Sequence, residues 1–425
     1  MEIKELHRLF LKSSGVNTDT RKIKENSIFF ALKGENFNGN RFAAKALENG
    51  SRFAVVDESS ENRNPNFILV EDVLSTLQKL ATFHRNFLGL PILALTGSNG
   101  KTTTKELINA VLSATYNTVA TKGNLNNHIG VPLTLLSMNQ NTEIGIVEMG
   151  ANHPGEIAFL CQIAQPDFGY ITNFGKAHLE GFKNLEGVIK AKSELYDFLK
   201  AHQKALFLNL DDPNQKKQLP YKKYFSFGSE ENSDIIFQFP GEGPLAQISV
   251  KGKTIEGQLT GKYNSTNMAA AYAIGTYFEV PEEKIVTALQ DYVPNNNRSQ
   301  ILEKSSNKIL LDAYNANPTS MMAALENFTS LPESPKIVFL GDMFELGDQS
   351  KAEHQAIVDY LEQSGISDIY LIGENFFETQ SGKKIKKYNS YADFKSDFRS
   401  KEIKNSLILI KGSRGMALER ILEML

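Results

Sequence analysis

Short, almost wholly apolar segments alternate along this chain with segments whose apolar residues recur every three or four positions. The first pattern predicts strands of a parallel sheet, because such strands are covered on both faces. The second pattern predicts helices. In the middle of the chain the predicted strands are 92–95, 118–121, 143–149, 167–172 and 204–209, and the predicted helices are 131–138, 154–164 and 185–200. Strands that alternate with helices favour an α/β fold with a mainly parallel sheet.

The alternation divides into three predicted domains, at residues 1–88, 89–300 and 301–425. The first is a small α/β unit, followed by a predicted hinge at 89–91. The third is a Rossmann-like α/β unit whose predicted strands each end in a polar or glycine-rich turn. Those strands are 308–312, 336–340, 368–372 and 407–411. Open α/β sheets bind ligands outside the carboxyl ends of their strands, so these turns are candidate binding segments.

Residues 221–260 interrupt the central pattern with short segments in which apolar and polar residues alternate between turns. Alternation of that period predicts an antiparallel excursion from the parallel sheet. Two helices are predicted after it, near 267–276 and 281–292. The chain ends in a predicted helix at 416–424.

The composition limits the classes of protein to which the chain can belong. Of its 425 residues, 41% are hydrophobic and 22% are charged, with a net charge of −3. This near balance argues against a general nucleic-acid-binding or membrane-surface protein, which usually carries a basic excess. The single cysteine, Cys161, excludes an intrachain disulfide and fits a reducing compartment. No apolar run approaches the roughly 18 residues of a membrane span, and we expect a soluble, cytoplasmic protein.

The glycine-rich turn after the first central strand has the form of a phosphate-binding loop. Gly97 and Gly100 bracket the turn, and Lys101 opens a predicted helix. Backbone N–H groups and the helix N-terminus can then face a phosphate, with Lys101 at the β- and γ-phosphates and the Thr102 hydroxyl on Mg²⁺. The general motif has a glycine where Leu95 stands, so a plain turn before a helix is the alternative.

Five other residues stand where a nucleotide or metal site could use them, although each also has a plainer explanation. Glu148 ends an apolar strand, where it could bind Mg²⁺ or simply face solvent. His178 follows the next strand, but imidazole is an unusual ligand for Mg²⁺. Lys192 lies on a predicted helix, where most lysines are solvated. Asn267 suits either a helix cap or a purine contact, and Arg298 either a phosphate contact or an exposed linker charge.

Taken together, these stretches resemble the Mur ligase family of peptidoglycan synthesis. The matching segments occur in all three predicted domains, in the family's order. They are 18–21, 31–37, 96–103, 123–127, 147–151, 171–181, 312–320, 340–347 and 410–415. One departure is Asn40-Arg41, where related sequences often have His-Asp. The resemblance implies an N-terminal domain for the UDP end of a muramyl substrate, a central P-loop domain for ATP, and a C-terminal domain for ATP and D-alanyl-D-alanine.

The resemblance also implies roles for individual residues. The catalytic residues would be Lys101, Glu148, His178 and Lys192. The ligands of two expected Mg²⁺ ions would be Thr102, Glu148, His178 and Lys192, the last as a carbamylated lysine. ATP would be held by Gly97, Ser98, Asn99, Gly100, Lys101, Thr102, Thr103, Asn267, Arg298 and Asp312. The other substrates would be held by Thr18, Asp19, Thr20, Arg21, Asn124, Asn126, Asn127, Asn315 and Asn317.

The implied activity is ATP-dependent amide ligation. ATP would phosphorylate the terminal carboxylate of UDP-N-acetylmuramoyl-tripeptide, and the amine of D-alanyl-D-alanine would attack the acyl phosphate. We expect a monomer, with no nucleic-acid or membrane partner, that closes on its substrates at 89–91 and 298–301. The alternatives are another Mur or folylpolyglutamate-type amino acid ligase and, from a different class, a nucleotide-binding switch. The switch is disfavoured because the chain lacks an Asn-Lys-x-Asp guanine motif.

Overall fold

Three α/β units, each with its own main sheet, make up the protein. The computed structural model describes residues 1–58, 64–241, 243–294, 297–398 and 403–425. The predicted three-domain α/β architecture is confirmed. The boundaries at 88–89 and 300–301 stay proposals.

The first domain is a small parallel sheet covered by helices. Its elements are α1 (Ile3–Phe10), β1 (Val16–Asn17), β2 (Ile28–Phe30), β3 (Lys33–Gly34), β4 (Phe37–Asn38), α2 (Ala43–Glu48), β5 (Phe53–Val56), β6 (Phe67–Leu69) and α3 (Val73–Leu88). The main sheet has the order β1-β2-β5-β6, and β3 pairs with β4 in a hairpin. Asp72 caps the start of α3, where its carboxylate accepts a hydrogen bond from Ser75 N at 2.6 Å, and Gly89 with φ +65° caps the end. The apolar face of this helix packs on α1 and on the second domain, so the two domains share one hydrophobic core.

The second domain is built on a seven-stranded sheet in which every pair of neighbours is parallel. Its strands are β7 (Ile92–Thr96), β8 (Thr118–Ala120), β9 (Ile144–Glu148), β10 (Phe168–Ile171), β11 (Ala205–Asn209), β12 (Tyr224–Gly228), β13 (Ile235–Ile236), β14 (Leu245–Val250) and β15 (Lys253–Thr260). Its helices are α4 (Lys101–Ser113), α5 (Gly130–Leu136), α6 (Glu156–Ala164), α7 (Leu179–Phe182), α8 (Leu185–Ala201), α9 (Pro213–Lys216), α10 (Lys262–Tyr277) and α11 (Glu282–Asp291). The strand order is β13-β12-β11-β10-β7-β9-β8, with β14 and β15 as a separate antiparallel pair.

The segment 221–260 differs from its prediction in its first half. Strands β12 and β13 extend the parallel sheet, and only β14 and β15 form the expected antiparallel excursion. The alternation in 221–260 predicted short strands, but the neighbour that each strand pairs with depends on packing between distant segments. Phe227 is fully buried in a core shared with α4 and α10, and this burial places β12 beside β11.

The third domain has a six-stranded sheet with one antiparallel edge. Its elements are β16 (Gln300–Lys304), β17 (Asn307–Asp312), α12 (Pro318–Ser330), β18 (Lys336–Gly341), α13 (Ser350–Gln363), β19 (Asp368–Ile372), α14 (Glu374–Phe377), β20 (Ile385–Tyr388), α15 (Tyr391–Asp397) and β21 (Leu407–Lys411). The order is β16-β17-β21-β18-β19-β20, and only β16 runs antiparallel to its neighbour. The helix predicted at 416–424 is instead two 3-10 helices, Arg414–Met416 and Leu418–Met424, because Ala417 has φ +46° and breaks the helical path.

The order of the central sheet brings three strand ends together. Strand β7 lies between β9 and β10, so its carboxyl end adjoins those of both neighbours. Every residue of β7 is buried, and so is every residue of β9. The residues that follow these strands therefore meet at one edge of a rigid sheet. Within the ranges described above, no helix is both long and apolar enough to cross a membrane.

Candidate active site

A cavity of about 1030 Å³ lies at this edge of the central sheet and extends to the third domain. Most of the residues predicted to bind ATP or metal line it. They are Ser98, Asn99, Gly100, Lys101, Thr102, Thr103, Glu148, His178, Asn267, Arg298 and Asp312. Five of the predicted substrate residues also line it, namely Asn124, Asn126, Asn127, Asn315 and Asn317. Residues 18–21 belong to the first domain and are not part of this lining.

The phosphate loop owes its shape to two glycines. Gly97 has φ +146°, and a Cβ added there would lie 2.0 Å from Thr172 Oγ1. Gly100 has φ +77°, and a Cβ there would lie 2.9 Å from Asn267 Oδ1. The Thr172 hydroxyl donates a hydrogen bond to the Asn99 carbonyl at 2.6 Å, so the residue after β10 holds the loop in place. The loop amides and the start of α4 are therefore preformed to receive a phosphate.

The ammonium group of Lys101 folds back over this loop. Its Nζ donates to the Gly97 carbonyl at 2.7 Å and to the Ser98 carbonyl at 3.2 Å. Burial lowers the pKa of Lys101 to about 8, and the carboxylate of Glu148 opposes that shift. A phosphate beside Nζ would favour the charged form of the amine, since an opposite charge stabilises an ion. The site is thus suited to an anionic ligand.

The carboxylate of Glu148 is buried with one oxygen left unpaired. Glu148 ends β9 and is 1% exposed. Its Oε1 accepts hydrogen bonds from Asn126 Nδ2 at 2.8 Å and from Thr102 Oγ1 at 3.3 Å. Among the described residues, Oε2 has no hydrogen-bond partner. A buried carboxylate oxygen without a partner is costly, and a cation would satisfy it. Thr102 and Glu148 therefore fit Mg²⁺, which takes oxygen ligands and few of them from protein.

The other two predicted metal ligands, His178 and Lys192, have different settings. In the part of the chain that the structure describes, no group of three or more His, Cys, Asp or Glu side chains could hold a metal ion. His178 lies with Nδ1 at 2.5 Å from Oε2 of Glu345, a residue of the third domain. Lys192 is fully buried, and its Nζ donates to the Ala151 carbonyl at 3.1 Å. Burial first, and then the charge of Lys101, lowers the pKa of Lys192 well below its ordinary value.

Asn267 braces the phosphate loop from helix α10. Its Nδ2 donates to Asn264 Oδ1 at 2.8 Å, and its Oδ1 accepts from Thr104 Oγ1 at 3.0 Å. The carboxamide also packs on Gly100, as the close approach of a Cβ there shows. Each polar atom of an amide can make two hydrogen bonds, so Asn267 keeps capacity for a contact with a nucleotide base.

Arg298 and Asp312 approach the cavity from the far side. The guanidinium carbon of Arg298 lies 3.7 Å from the centre of the Tyr314 ring, and its Nε is buried without a partner among the described residues. Asp312 ends β17, forms an ion pair with Lys411, and accepts a hydrogen bond from Ser299 N at 3.3 Å. Stacking on an aromatic ring holds a guanidinium without using its N–H donors, which leaves them for an anion.

The predicted substrate residues have three different settings. Asn126 holds Glu148, as described above, and Asn127 caps α5 by accepting from Gly130 N at 2.9 Å. Asn317 caps α12 and donates to Asn99 Oδ1 at 2.7 Å, which joins the third domain to the phosphate loop. In the first domain, the Asp19 carboxylate pairs with the guanidinium of Arg21 at 2.8 Å on the surface.

Sequence reasoning gave no individual role to several residues of this site, although they lie in segments that match the family. Tyr314, Glu345 and Lys411 line the cavity, and each follows or ends a strand of the third domain. Their place after predicted strands was the available signal. Outside the cavity lining, the position of Glu194 on a predicted helix indicates a solvated side chain, yet its carboxylate accepts from Gly155 N at 2.7 Å and Ala158 N at 2.9 Å. It thereby caps α6, and no local sequence pattern indicates this.

Comparison with protein families matches most of the chain. The family model described as Mur ligase middle domain matches residues 95–275. The model described as Mur ligase, glutamate ligase domain matches residues 297–414, and the model described as Mur ligase family, catalytic domain matches residues 12–85. Each of the three matched segments corresponds to one of the three domains, each of which has its own main sheet.

Individual relatives cover nearly the whole chain. The UDP-N-acetylmuramoyl-tripeptide–D-alanyl-D-alanine ligase of Bacillus subtilis (strain 168) is 36% identical over 423 residues, which is 96% of this chain and 92% of the relative. The crystal structure of MurF ligase from Thermotoga maritima in complex with ADP is 29% identical, with a TM-score of 0.84 over 98% of this chain and 97% of that one. A crystal structure of MurF from Acinetobacter baumannii is 30% identical, with a TM-score of 0.84 over 96% of this chain and 92% of that one.

Proposed function

The chain belongs to the Mur ligase family, and from this premise we propose how it adds D-alanyl-D-alanine to UDP-N-acetylmuramoyl-tripeptide with ATP in peptidoglycan synthesis. We place the reaction in the cavity because of one observation: the phosphate loop is preformed, and beside it lies a carboxylate oxygen of Glu148 that has no hydrogen-bond partner among the described residues. The alternative of another amino acid ligase of the family is not favoured, because the full-length relative at 36% identity is the D-alanyl-D-alanine ligase.

The reaction has two steps in our proposal. The terminal carboxylate of the tripeptide attacks the γ-phosphorus of ATP, which forms an acyl phosphate and releases ADP. The amine of D-alanyl-D-alanine then attacks the acyl carbon, and the tetrahedral intermediate expels phosphate as the amide forms. The amine loses a proton in this step.

The first step brings two anions together, and the chain supplies positive charge for it. Lys101 and the phosphate loop line one side of the cavity, where the ammonium group and the loop amides would face the phosphates of ATP. Arg298 lies on the far wall with N–H donors to spare, held against Tyr314. Groups fixed in place before the reaction stabilise developing charge without the cost of reorganisation. Asn317, bonded to Asn99, ties the third domain to the phosphate loop.

Magnesium would be held by the Thr102 hydroxyl and the Glu148 carboxylate. When bound, the ion neutralises phosphate charge. Asn126 supports this arrangement, since it occupies Oε1 of Glu148 and leaves Oε2 for a cation. We propose that a second ion uses His178 and a carbamylated Lys192. Burial lowers the pKa of Lys192, and this favours carbamylation because only the unprotonated amine reacts with CO₂.

The proposed function is tested by ADP release with purified protein. UDP-N-acetylmuramoyl-tripeptide, D-alanyl-D-alanine, ATP and Mg²⁺ are supplied together and then omitted one at a time, with lysine and diaminopimelate as the third residue in parallel. We expect sustained turnover only when all four are present. Turnover that persists without the dipeptide, or that is equally fast with glutamate in place of the dipeptide, would contradict the assignment.

A matched pair of variants tests the role of the cavity. Lys101→Met removes the cation from the phosphate loop, and we expect a loss of about 10²–10³-fold in kcat. Lys122→Met removes an exposed lysine that is not part of the cavity lining, and activity should stay at the parent level. Equal activity of the two variants would show that the reaction takes place elsewhere.

A further inference from the structure

Lys105 is a fully buried lysine on α4, the helix that begins at the phosphate loop. Its side chain is 0% exposed, although a lysine is almost never fully buried unless it is paired. Its Nζ donates a hydrogen bond to the Thr121 carbonyl at 2.5 Å and lies 2.6 Å from Oε1 of Glu106. No step of the proposed reaction uses this lysine. Because taking an ion out of water is costly, its burial against one backbone carbonyl calls for a specific role.

The carbonyl that Lys105 holds lies where β8 ends. Thr121 follows β8, and its N–H donates to the Ile146 carbonyl at 2.9 Å. If the parallel ladder continued, the Thr121 carbonyl would accept the next hydrogen bond, from Glu148 N. The Thr121 hydroxyl accepts that bond instead, at 3.0 Å, and the carbonyl accepts from Lys105. At the first residue beyond β8, the lysine on α4 therefore takes over from the neighbouring strand.

The residues after Thr121 form a short loop, 122–127, that reaches the cavity. Three asparagines of this loop belong to the cavity lining, namely Asn124, Asn126 and Asn127. Asn126 is held in place on both sides, since its carbonyl accepts from Gly150 N at 2.7 Å and its side chain donates to the Glu148 carboxylate. Because the loop is short, the point at which it leaves β8 determines where these asparagines lie.

The loop 122–127 also adjoins the first domain. Directly after it, the His128 carbonyl accepts a hydrogen bond from Gln78 Nε2 at 3.0 Å, and Gln78 lies on α3 of the first domain. The family resemblance implies that the first domain holds the UDP end of the muramyl substrate and that the third domain holds D-alanyl-D-alanine. A substrate that extends from the first domain to the phosphate loop would pass along 122–127, whereas the dipeptide would approach from the other side.

We propose that Lys105 is a positioning residue for the muramyl substrate: from the phosphate-loop helix it holds the Thr121 carbonyl, and it thereby sets the loop 122–127 that faces this substrate. The ATP side and the muramyl side of the cavity are then built as one unit. The effect on the substrate rests on the proposed function, whereas the order of the loop can be measured without turnover.

Steady-state kinetics with Lys105→Met test the effect on the substrate. Methionine has a similar length but no N–H donor, and replacement of a buried ion by an apolar residue of similar volume is often tolerated. We expect the KM for UDP-N-acetylmuramoyl-tripeptide to rise about 10-fold, the scale of one hydrogen bond to a charged group. The KM for D-alanyl-D-alanine should stay at the parent value. Lys105→Arg keeps a charged donor and should recover part of the loss.

Hydrogen exchange measures the loop itself. In Lys105→Met, the backbone amides of 122–127 should exchange about 10-fold faster, whereas those of 106–113 in α4 should keep the parent rate. The double variant Lys105→Met/Glu106→Gln removes both charges of the buried pair and should show the same change in the loop. It therefore separates the lost hydrogen bond from the effect of leaving the Glu106 carboxylate without its cation.

Lys284→Met is the matched control, because Lys284 Nζ donates to the Ala114 carbonyl at the other end of α4, at 2.9 Å. This variant should leave both KM values and the exchange of the loop unchanged. Unchanged loop exchange in Lys105→Met and in the double variant would overturn the proposal. An equal rise in KM for the two substrates would overturn it too, as would the same changes in Lys284→Met.

The two measurements also separate the proposed function from the role of Lys105. A parent enzyme without ligase activity would refute the proposed function, while the exchange rates still decide whether Lys105 orders the loop. An active Lys105→Met with the parent KM for the muramyl substrate would refute the positioning role alone.

Discussion

The geometry of the phosphate loop predicts a severe and specific defect for Gly97→Ala. The added Cβ would meet Thr172 Oγ1 at 2.0 Å and Thr172 N at 3.0 Å, and the residue would need φ +146°. The nearest atom belongs to the hydroxyl that donates to the Asn99 carbonyl. Relief of the clash therefore requires either rotation of Thr172, which breaks that bond, or displacement of the loop away from β10.

The size of the effect follows from the backbone strain at residue 97 and from the hydrogen bond that Thr172 loses. A non-glycine residue in a sparsely populated backbone region costs about 1–3 kcal/mol. The lost hydrogen bond adds about 1 kcal/mol. If the loop moves to avoid these costs, its restoration on nucleotide binding must supply about 3 kcal/mol, which weakens ADP binding by about 10²-fold.

The assay is titration calorimetry with ADP and Mg²⁺, together with thermal unfolding to confirm that each variant is folded. Gly252→Ala is the control, because Gly252 has φ +77° with nothing within 4 Å of an added Cβ. That variant should lose about 1–2 kcal/mol of stability from the backbone alone and bind ADP normally. The double variant Gly97→Ala/Thr172→Ala should recover binding only in part, since Thr172 N stays close. Binding by Gly97→Ala within about threefold of the parent, less than 1 kcal/mol, would refute the reasoning.

Three further predictions concern the carboxylate, the buried lysine and acid stability. Asn126→Ala frees Oε1 of Glu148 and should weaken Mg²⁺ binding about 10-fold. Asn124→Ala, at another residue of the cavity lining, should leave Mg²⁺ binding unchanged. Equal effects of the two substitutions would contradict the role of Asn126 in holding the Glu148 carboxylate. Protein equilibrated with ¹³C-bicarbonate should show a carbamate carbonyl signal that is absent from Lys192→Arg, and a parent spectrum without that signal would exclude carbamylation. Burial lowers the pKa of His7 to about 4 from 6.5, so the unfolded chain takes up a proton that the folded protein refuses. The contribution of neutral His7 to the free energy of unfolding is complete above pH 6.5 and falls by about 3 kcal/mol toward pH 4. Chemical unfolding of the parent and of His7→Asn across this pH range should show a smaller loss of stability in the variant. Parallel curves of stability against pH would contradict the prediction.

Local sequence was sufficient to predict where the central strands end and where the phosphate loop lies. The run 92–95 indicated a buried strand, and the structure buries the whole of Ile92–Thr96. Glu148 was expected at a strand end and stands at the end of β9. These features depend on residues adjacent in the chain, since apolar runs and glycine positions determine strand burial and turn shape directly.

Local sequence was insufficient where two distant segments determine the outcome. The alternation in 221–260 predicted antiparallel strands, whereas Tyr224–Gly228 pairs in parallel with β11. The helical position of Glu194 gave no sign that its carboxylate caps α6. A strand or helix pattern describes one side of a contact, and the partner is known only once the chain has folded.

In the candidate site, too, some features could be predicted from the sequence and others depended on the folded structure. From the sequence alone came the phosphate loop, the strand-end carboxylate and, through the family resemblance, many of the residues that line the cavity. Tertiary structure alone decided that Asn126 occupies one oxygen of Glu148, that Lys192 is buried, and that Glu345 faces His178. The physical reason is that burial, and the charge and hydrogen-bond partners that accompany it, depend on residues far apart in the chain, whereas the loop itself is set by the chemistry of its neighbours.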